Sequence, residues 1–136
     1  MTNDVGFQIL NFQPCGDDRG SLIALEQLGN VPFDIKRIYY MFDTKEGISR
    51  GFHAHKALKQ VVIAVSGSCN FTLDDGKTRT SVLLDNPCKG LYIDDFVWRE
   101  IDQFSSDCVL LALASEHYDE NDYIRNYNAF IKAKNT

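Results

Sequence analysis

Short runs of apolar, β-branched and aromatic residues recur about every ten residues along the chain, and clusters of turn-forming residues separate them. Runs of this length and spacing are typical of strands in a β-sandwich or barrel. They predict strands at residues 7–12, 21–26, 35–42, 60–65, 70–73, 81–84, 90–93, 97–101 and 108–114. The dipeptide Asp75-Gly76 between two of these runs predicts a tight hairpin, because both positions tolerate a positive φ.

Two segments depart from the alternating pattern. Residues 108–114 are all apolar, without polar alternation, so we expect a strand that is covered on both faces. Near the end of the chain, apolar and aromatic residues recur with the 3.6-residue period of a helix: Tyr123, Ile124, Tyr127, Phe130 and Ile131. Asn121 or Asp122 could cap this helix. The pattern predicts an all-β fold, a sandwich or jelly roll with a short C-terminal helix, in a single domain spanning residues 1–136.

The composition narrows the classes of function. The chain has 136 residues and a net charge of −5, which argues against binding to nucleic acids or to anionic membranes. No apolar run approaches about 18 residues, and the residues after Met1 are polar. We therefore expect no membrane span, no signal peptide and a cytoplasmic location. The four cysteines form no C-x-x-C pair, so we expect neither a zinc site nor a disulfide framework.

His53 and His55 are separated by one residue in an extended segment, so both imidazoles point to the same face. Such a pair suits metal ligation or proton transfer, and the alternative is a pair of packed histidines without chemistry. The spacing Gly47-x5-His53-x-His55-x4-Gln60-x6-Gly67 resembles the first signature of the cupin superfamily. This resemblance implies a cupin jelly-roll barrel.

The residues beside the histidine pair argue against a metal. Metal-binding cupins carry a glutamate at the position of Gln60 and a third histidine on a later strand, near Arg99 in this chain. An amide is a weak ligand, and a guanidinium is a cation without a free lone pair. We therefore expect a site for proton transfer that holds no metal and no other cofactor.

Over nearly its whole length, the chain resembles the sugar-nucleotide 3,4-ketoisomerases of the WxcM-like group. The segments that carry this resemblance are 18–22, 32–40, 50–56, 90–93, 97–100 and 118–125. The resemblance implies an isomerase that converts dTDP-4-keto-6-deoxyglucose into a dTDP-3-keto-6-deoxyhexose. It also implies a metal-independent homodimer that serves the synthesis of 3-amino-3,6-dideoxy sugars for surface polysaccharides, such as the lipopolysaccharide O-antigen.

Carried over from the family, His53 is the expected base, with His55 as its partner in proton delivery. Moving a ketone from C4 to C3 requires proton transfer near neutral pH, which histidine supplies without a large change in its pKa. Tyr39 is the expected donor to the oxygen of the developing enediolate.

Contacts to the substrate are expected from Arg19, Arg50, Gln60, Trp98 and Arg99. Arginines suit a diphosphate, because the planar guanidinium binds two oxygens at once. Two of these residues have simpler alternatives, since Arg19 could pair with Asp17 or Asp18 and Arg50 could be solvated. Positions 19 and 99 vary within the resembled group, which prompts the hypothesis that they select the galacto or gluco configuration at C4 of the product.

Three other functions compete with the ketoisomerase. A dTDP-sugar 3,5-epimerase also uses a metal-free cupin barrel with a histidine base and a tyrosine acid, but epimerases are typically longer. A metal-dependent cupin dioxygenase is a weaker alternative. A non-catalytic module that binds sugar nucleotides is the alternative from a different class.

Overall fold

The computed structural model describes residues 6–136, so the polar start of the chain that argues against a signal peptide lies outside the described residues. The elements, in chain order, are β1 (Phe7–Asn11), β2 (Cys15–Asp17), β3 (Gly20–Leu22), β4 (Arg37–Met41), β5 (Arg50–His55), β6 (Gln60–Ser66), β7 (Cys69–Asp74), β8 (Arg79–Leu84), β9 (Lys89–Ile93), β10 (Trp98–Asp102), β11 (Val109–Ala114), β12 (Tyr123–Ile124) and α1 (Tyr127–Lys134). A single 3₁₀ turn at Glu120–Asp122 precedes β12.

Two five-stranded antiparallel sheets form the body of the fold. Their strand orders are β1-β9-β6-β11-β4 and β12-β5-β10-β7-β8, and β2 pairs with β3 in a separate hairpin. Most neighbouring strands are distant in the chain, which is the long-range pairing of a jelly roll. The prediction of an all-β jelly roll with a short C-terminal helix is confirmed.

The main core lies between the two sheets, where Phe71 of one sheet and Leu110 and Ala112 of the other are almost completely buried. Leu113 of β11 points the opposite way and packs in a second apolar cluster with Phe33. The strand predicted from residues 108–114 is therefore covered on both faces, as its apolar sequence requires.

The N-terminal hairpin corrects two predictions. Of the strand predicted at 21–26, only Ser21 and Leu22 are paired, in β3, and Ile23 and Leu25 instead pack against the second apolar cluster. The partner strand, Cys15–Asp17, lies between the strands predicted at 7–12 and 21–26, where the sequence predicts no strand. Both strands of this hairpin are exposed, so no alternation of buried and solvated residues marks them in the sequence.

The C-terminal helix begins later than its apolar period predicts. Tyr123 and Ile124 form β12, which pairs with β5, and they are not helical. The helix α1 follows Asn126, whose side-chain oxygen accepts a hydrogen bond from the backbone N–H of Ala129. The prediction that Asn121 or Asp122 caps the helix is therefore wrong.

Asp122 has a different partner, which explains the error. Its carboxylate accepts hydrogen bonds from the backbone N–H groups of Ala57, at 2.8 Å, and Leu58, at 3.3 Å. These contacts join segments more than 60 residues apart and hold the chain extended beside β5. A local period cannot reveal such a contact.

The described residues also bear on two expectations, about membrane spans and about the cysteines. Among residues 6–136, no helix is long and apolar enough to cross a membrane. All four cysteines are free, and Cys69 and Cys108 are buried.

Candidate active site

A cavity of about 330 Å³ opens between the two sheets. Its walls come from strands of both sheets and from residues 118–125. The polar and charged residues that line it are Arg37, Tyr39, Arg50, His53, Gln60, Arg99, Tyr118, Tyr123 and Arg125. The cavity therefore combines titratable groups with several cations.

A β-bulge directs His53 into this cavity. The register of β5 against β10 shifts so that Arg99 faces His53 and Glu100 faces Gly51, which leaves Phe52 as the extra residue. Gly51 has a φ of +89°, and a Cβ atom there would lie 3.0 Å from the backbone oxygen of Arg99. Glycine is therefore required at position 51 for the bulge to form.

The two histidines are in contact but have different environments. Their ring centroids are 4.9 Å apart, with the planes nearly perpendicular at 87°. His53 lines the cavity, whereas His55 is 1% exposed and lies behind it. The ring of Tyr123 packs against both, at 5.0 Å from His53 and 4.4 Å from His55.

Asp122 determines which nitrogen of His55 carries the proton. The Nδ1 atom lies 3.1 Å from the carboxylate of Asp122. Burial and then the charge of Arg99 lower the pKa of His55 to about 2, so the imidazole is neutral near pH 7. A neutral ring facing a carboxylate donates Nδ1–H, which leaves the lone pair on Nε2.

His53 is also neutral near pH 7. Burial and then the positive charge of Arg99 lower its pKa to about 4. A neutral imidazole that lines a cavity can accept a proton from a bound molecule.

Arg99 is buried on the inner side of β10 and is held by two acceptors. One N–H donates to the side-chain oxygen of Gln60, and another donates to the backbone oxygen of Val97 at 3.0 Å. The amide nitrogen of Gln60 then donates to the hydroxyl of Tyr39 at 2.7 Å. Burial lowers the pKa of Arg99 to about 10, so its charge persists at neutral pH.

This arrangement does not suit a divalent cation. The position of the metal-ligating glutamate is occupied by the amide of Gln60, which is engaged by Arg99 and Tyr39. A buried guanidinium beside the histidines repels a cation. Within residues 6–136, no group of three His, Cys, Asp or Glu side chains is placed to hold a metal ion.

The rim of the cavity is basic and aromatic. Arg37 lies over the rings of Tyr39, at 5.1 Å, and Tyr118, at 5.6 Å. Arg125 stacks on Tyr123 at 4.1 Å. Arg50 is exposed between this cavity and an adjacent groove. Three guanidinium groups therefore surround the entrance, where an anionic group would be attracted.

The structure brings together most of the residues that the sequence nominated. Tyr39, Arg50, His53, Gln60 and Arg99 all line the cavity, and His55 supports His53 from behind.

Two nominated residues, Trp98 and Arg19, lie elsewhere. Trp98 points to the opposite face of β10 from Arg99, where it packs against Phe130 of α1 and donates its indole N–H to Glu100 at 2.9 Å. Arg19 is exposed on the β2–β3 hairpin and pairs with Asp17 at 2.5 Å. Within one chain, Arg19 is therefore an ion-paired surface residue, as the simpler of its two predictions had it.

Several cavity residues were not nominated from the sequence. Arg37 precedes Tyr39 by two residues on β4, so strand alternation was a sufficient signal to predict that both side chains lie on the same face. The helical period that begins at Tyr123 conceals Tyr123 and Arg125, because it predicts a helix where the chain forms β12. Asp122 does not line the cavity but contacts His55 behind it, and the sequence predicts it only as a helix cap.

The jelly roll and the histidine-containing cavity define a protein of the cupin class. The profile of the family described as "FdtA: WxcM-like, C-terminal" matches residues 5–135. The chain therefore belongs to this family.

The relatives of the chain are sugar-nucleotide isomerases. The TDP-4-oxo-6-deoxy-alpha-D-glucose-3,4-oxoisomerase of Aneurinibacillus thermoaerophilus is 53% identical over 125 residues, which are 92% of this chain and 90% of the relative. A 3,4-ketoisomerase structure from Helicobacter canadensis is 51% identical and superimposes with a TM-score of 0.94 over 96% of this chain and 98% of the other.

A third relative was solved with a bound sugar nucleotide. It is a point mutant of the 3,4-ketoisomerase QdtA from Thermoanaerobacterium thermosaccharolyticum, in complex with TDP-4-keto-6-deoxyglucose. It is 42% identical, with a TM-score of 0.93 over 95% of this chain and 94% of the other.

Proposed function

We propose that this protein is a dTDP-4-keto-6-deoxyglucose 3,4-ketoisomerase, which moves the carbonyl group of the sugar from C4 to C3. The observation that carries the proposal is the imidazole of His53, which lines a cavity together with four arginines. The family of the chain and the names of its relatives support the same reaction.

The chemistry requires one base and one donor near the sugar ring. The proton on C3 is acidic because the carbonyl at C4 is adjacent, and His53 accepts it. The electrons form an enediolate whose charge lies on the C4 oxygen, and Tyr39 donates a hydrogen bond or its proton there. Burial raises the pKa of Tyr39, so this phenol carries its proton at neutral pH.

The second half of the reaction restores a carbonyl at C3. The C3 hydroxyl loses its proton while C4 accepts one, so atoms and electrons balance without an oxidant or reductant. His55 does not line the cavity, so we assign it to positioning the His53 ring through the contact between the two rings, and not to carrying a proton to the sugar itself. Its hydrogen bond to Asp122 keeps its tautomer constant during this exchange.

The arginines at the rim are suited to bind the diphosphate of the substrate. Arg37, Arg50 and Arg125 lie at the entrance, where planar guanidinium groups can each bind two phosphate oxygens. The buried Arg99 lies deeper, beside the histidines, and we assign it to the sugar end of the cavity.

We infer that the protein forms a homodimer, as the family resemblance implies. The edge strand β4 and the residue that follows it expose one row of large side chains, Ile38, Tyr40 and Phe42, which a partner would cover. Light scattering is expected to give twice the chain mass of 15.4 kDa. A mass of one chain at micromolar concentration would contradict the inference.

We also infer a place for the reaction in the cell. A 3-keto sugar is an acceptor for amino transfer, which agrees with synthesis of 3-amino-3,6-dideoxy sugars for surface polysaccharides such as the O-antigen. Cytoplasmic location follows if the sugar nucleotide is supplied there, and cell fractionation would test it.

NMR in deuterated water tests the proposed reaction. Metal-free protein is incubated with dTDP-4-keto-6-deoxyglucose, and the sugar ring is followed over time. We expect a C3 ketone with deuterium at C4. A ketone that stays at C4, with deuterium at C3 and C5, would identify a 3,5-epimerase. Binding without any exchange would identify a non-catalytic module.

A further inference from the structure

Two hydrogen bonds link Arg99 to Gln60 and Gln60 to Tyr39, and the chemistry of the three side chains determines which atom donates in each. A guanidinium carries only donors, so the atom of Gln60 that faces Arg99 must be the carbonyl oxygen. The amide nitrogen of Gln60 therefore faces Tyr39 and donates to its hydroxyl oxygen at 2.7 Å. The assignment of the two amide atoms needs no other information.

This direction leaves the proton of Tyr39 free to point into the cavity. A phenol has one proton, and its oxygen here accepts from Gln60, so the proton cannot lie along that bond. Within residues 6–136, the hydroxyl makes no other hydrogen bond to a protein group. Tyr39 lines the cavity, so a bound molecule is the acceptor that remains.

We propose that Gln60 is a positioning residue that makes the Tyr39 hydroxyl a hydrogen-bond donor to the substrate. The catalytic consequence rests on the proposed ketoisomerase function, because the donor is aimed at the C4 oxygen. The proposal explains why an amide stands where metal-binding cupins have a glutamate. A carboxylate at position 60 would accept from Arg99 and also from Tyr39, which would turn the phenol proton away from the cavity.

The most direct test is the substitution Gln60→Glu, because glutamate has nearly the same shape as glutamine. We expect kcat to fall by roughly 100-fold, the loss seen when one oxyanion donor is removed, with a smaller change in KM. Gln103→Glu is the matched control, because it makes the same chemical change at an exposed position outside the cavity. Circular dichroism and thermal unfolding report whether each variant is folded.

A double-mutant cycle separates an effect through Tyr39 from a general effect of the new charge. Tyr39→Phe removes the phenol proton, so adding Gln60→Glu is expected to cause no further loss in the pH-independent kcat. Losses that multiply in the double variant, or a wild-type kcat in Gln60→Glu, would overturn the proposal. If Gln60→Glu does not fold, Gln60→Met takes its place. It removes the donor to the Tyr39 oxygen without adding an acceptor for the phenol proton, so we expect a smaller loss of kcat and the same rise in the pKa of Tyr39.

A second measurement does not depend on turnover. With ¹³Cζ-labelled tyrosine, the signal missing from Tyr39→Phe identifies Tyr39, and its pKa is read from a pH titration. The hydrogen bond from Gln60 lowers the pKa of Tyr39 against the larger, opposite effect of burial. We therefore expect Gln60→Glu to raise this pKa and Gln103→Glu to leave it unchanged.

The two readouts distinguish the failure of this inference from the failure of the proposed function. The same Tyr39 pKa in wild type and Gln60→Glu would refute the positioning role. If wild type does not convert the sugar and the pKa rises as expected, the proposed reaction is wrong and the orientation of the Tyr39 hydroxyl stands.

Discussion

Replacing Arg99 by methionine tests the electrostatics of the histidine pair. His53 acts as a base only when neutral, so activity is lost as the pH falls through its pKa. Burial and the charge of Arg99 hold that pKa near 4, below its ordinary value of 6.5. Removing the charge raises the pKa of His53, and the variant should therefore lose activity at a higher pH than wild type.

The size of the shift follows from the geometry. Arg99 and His53 face each other across β10 and β5, and the Cβ atoms of such paired residues lie about 5 Å apart. At an effective dielectric constant of about 20, a unit charge at that distance is worth about 3 kcal/mol, or two pKa units. Burial is the larger cause of the lowered pKa, so we assign about one unit to Arg99.

The assay is kcat/KM as a function of pH, since its acid limb reports the base of the free enzyme. We expect a limb near pH 4 for wild type and about one unit higher for Arg99→Met. Lys77→Met, which removes an exposed positive charge, is the control, and circular dichroism identifies any acid unfolding. A wild-type limb near 6.5, or the same limb in wild type and Arg99→Met, would refute the reasoning.

Three further predictions concern packing, the bulge and the product. Trp98→Phe should lower the free energy of unfolding in urea by roughly 1–3 kcal/mol without changing KM, because Trp98 packs against α1; a tenfold rise in KM would instead place Trp98 in the substrate site. Gly51→Ala should reduce stability by more than about 1 kcal/mol and also reduce kcat, because the bulge needs a positive φ; wild-type values would count against a required bulge. Arg99→His should change the C4 configuration of the product, seen in the coupling constants of the ring protons by NMR, because Arg99 lines the cavity beside His53; an unchanged configuration in this variant and in Arg19→Ala would end the hypothesis about these two positions.

Strand alternation predicted much of the fold and part of the site. The period-two pattern placed His53 and His55 on one face, and the rings are in contact. The uninterrupted apolar run predicted a strand covered on both faces, and β11 is that strand. These features depend only on neighbours along one strand, which the sequence displays directly.

The errors arose where contacts distant in sequence prevail over local pattern. Asp122 has the chemistry of a helix cap, but it binds the backbone beyond β5 and the ring of His55. Tyr123 follows a helical period and yet pairs with β5. The error at Trp98 has a different cause. Trp98 is adjacent to Arg99 in β10, so strand alternation itself sends the two side chains to opposite faces, and the two residues could not both face the cavity.

The role of His53 in removing the C3 proton is tested most directly with substrate that carries deuterium at C3. NMR follows the loss of that deuterium in ordinary water for wild type, for His53→Asn and for His117→Asn, a change at an exposed histidine outside the cavity. We expect wild type and His117→Asn to release the label and form the C3 ketone. His53→Asn should bind dTDP with unchanged affinity and retain the label, with a rate at least about 10³-fold lower. Release of the label by folded His53→Asn at the wild-type rate would contradict the assignment of His53 as the base.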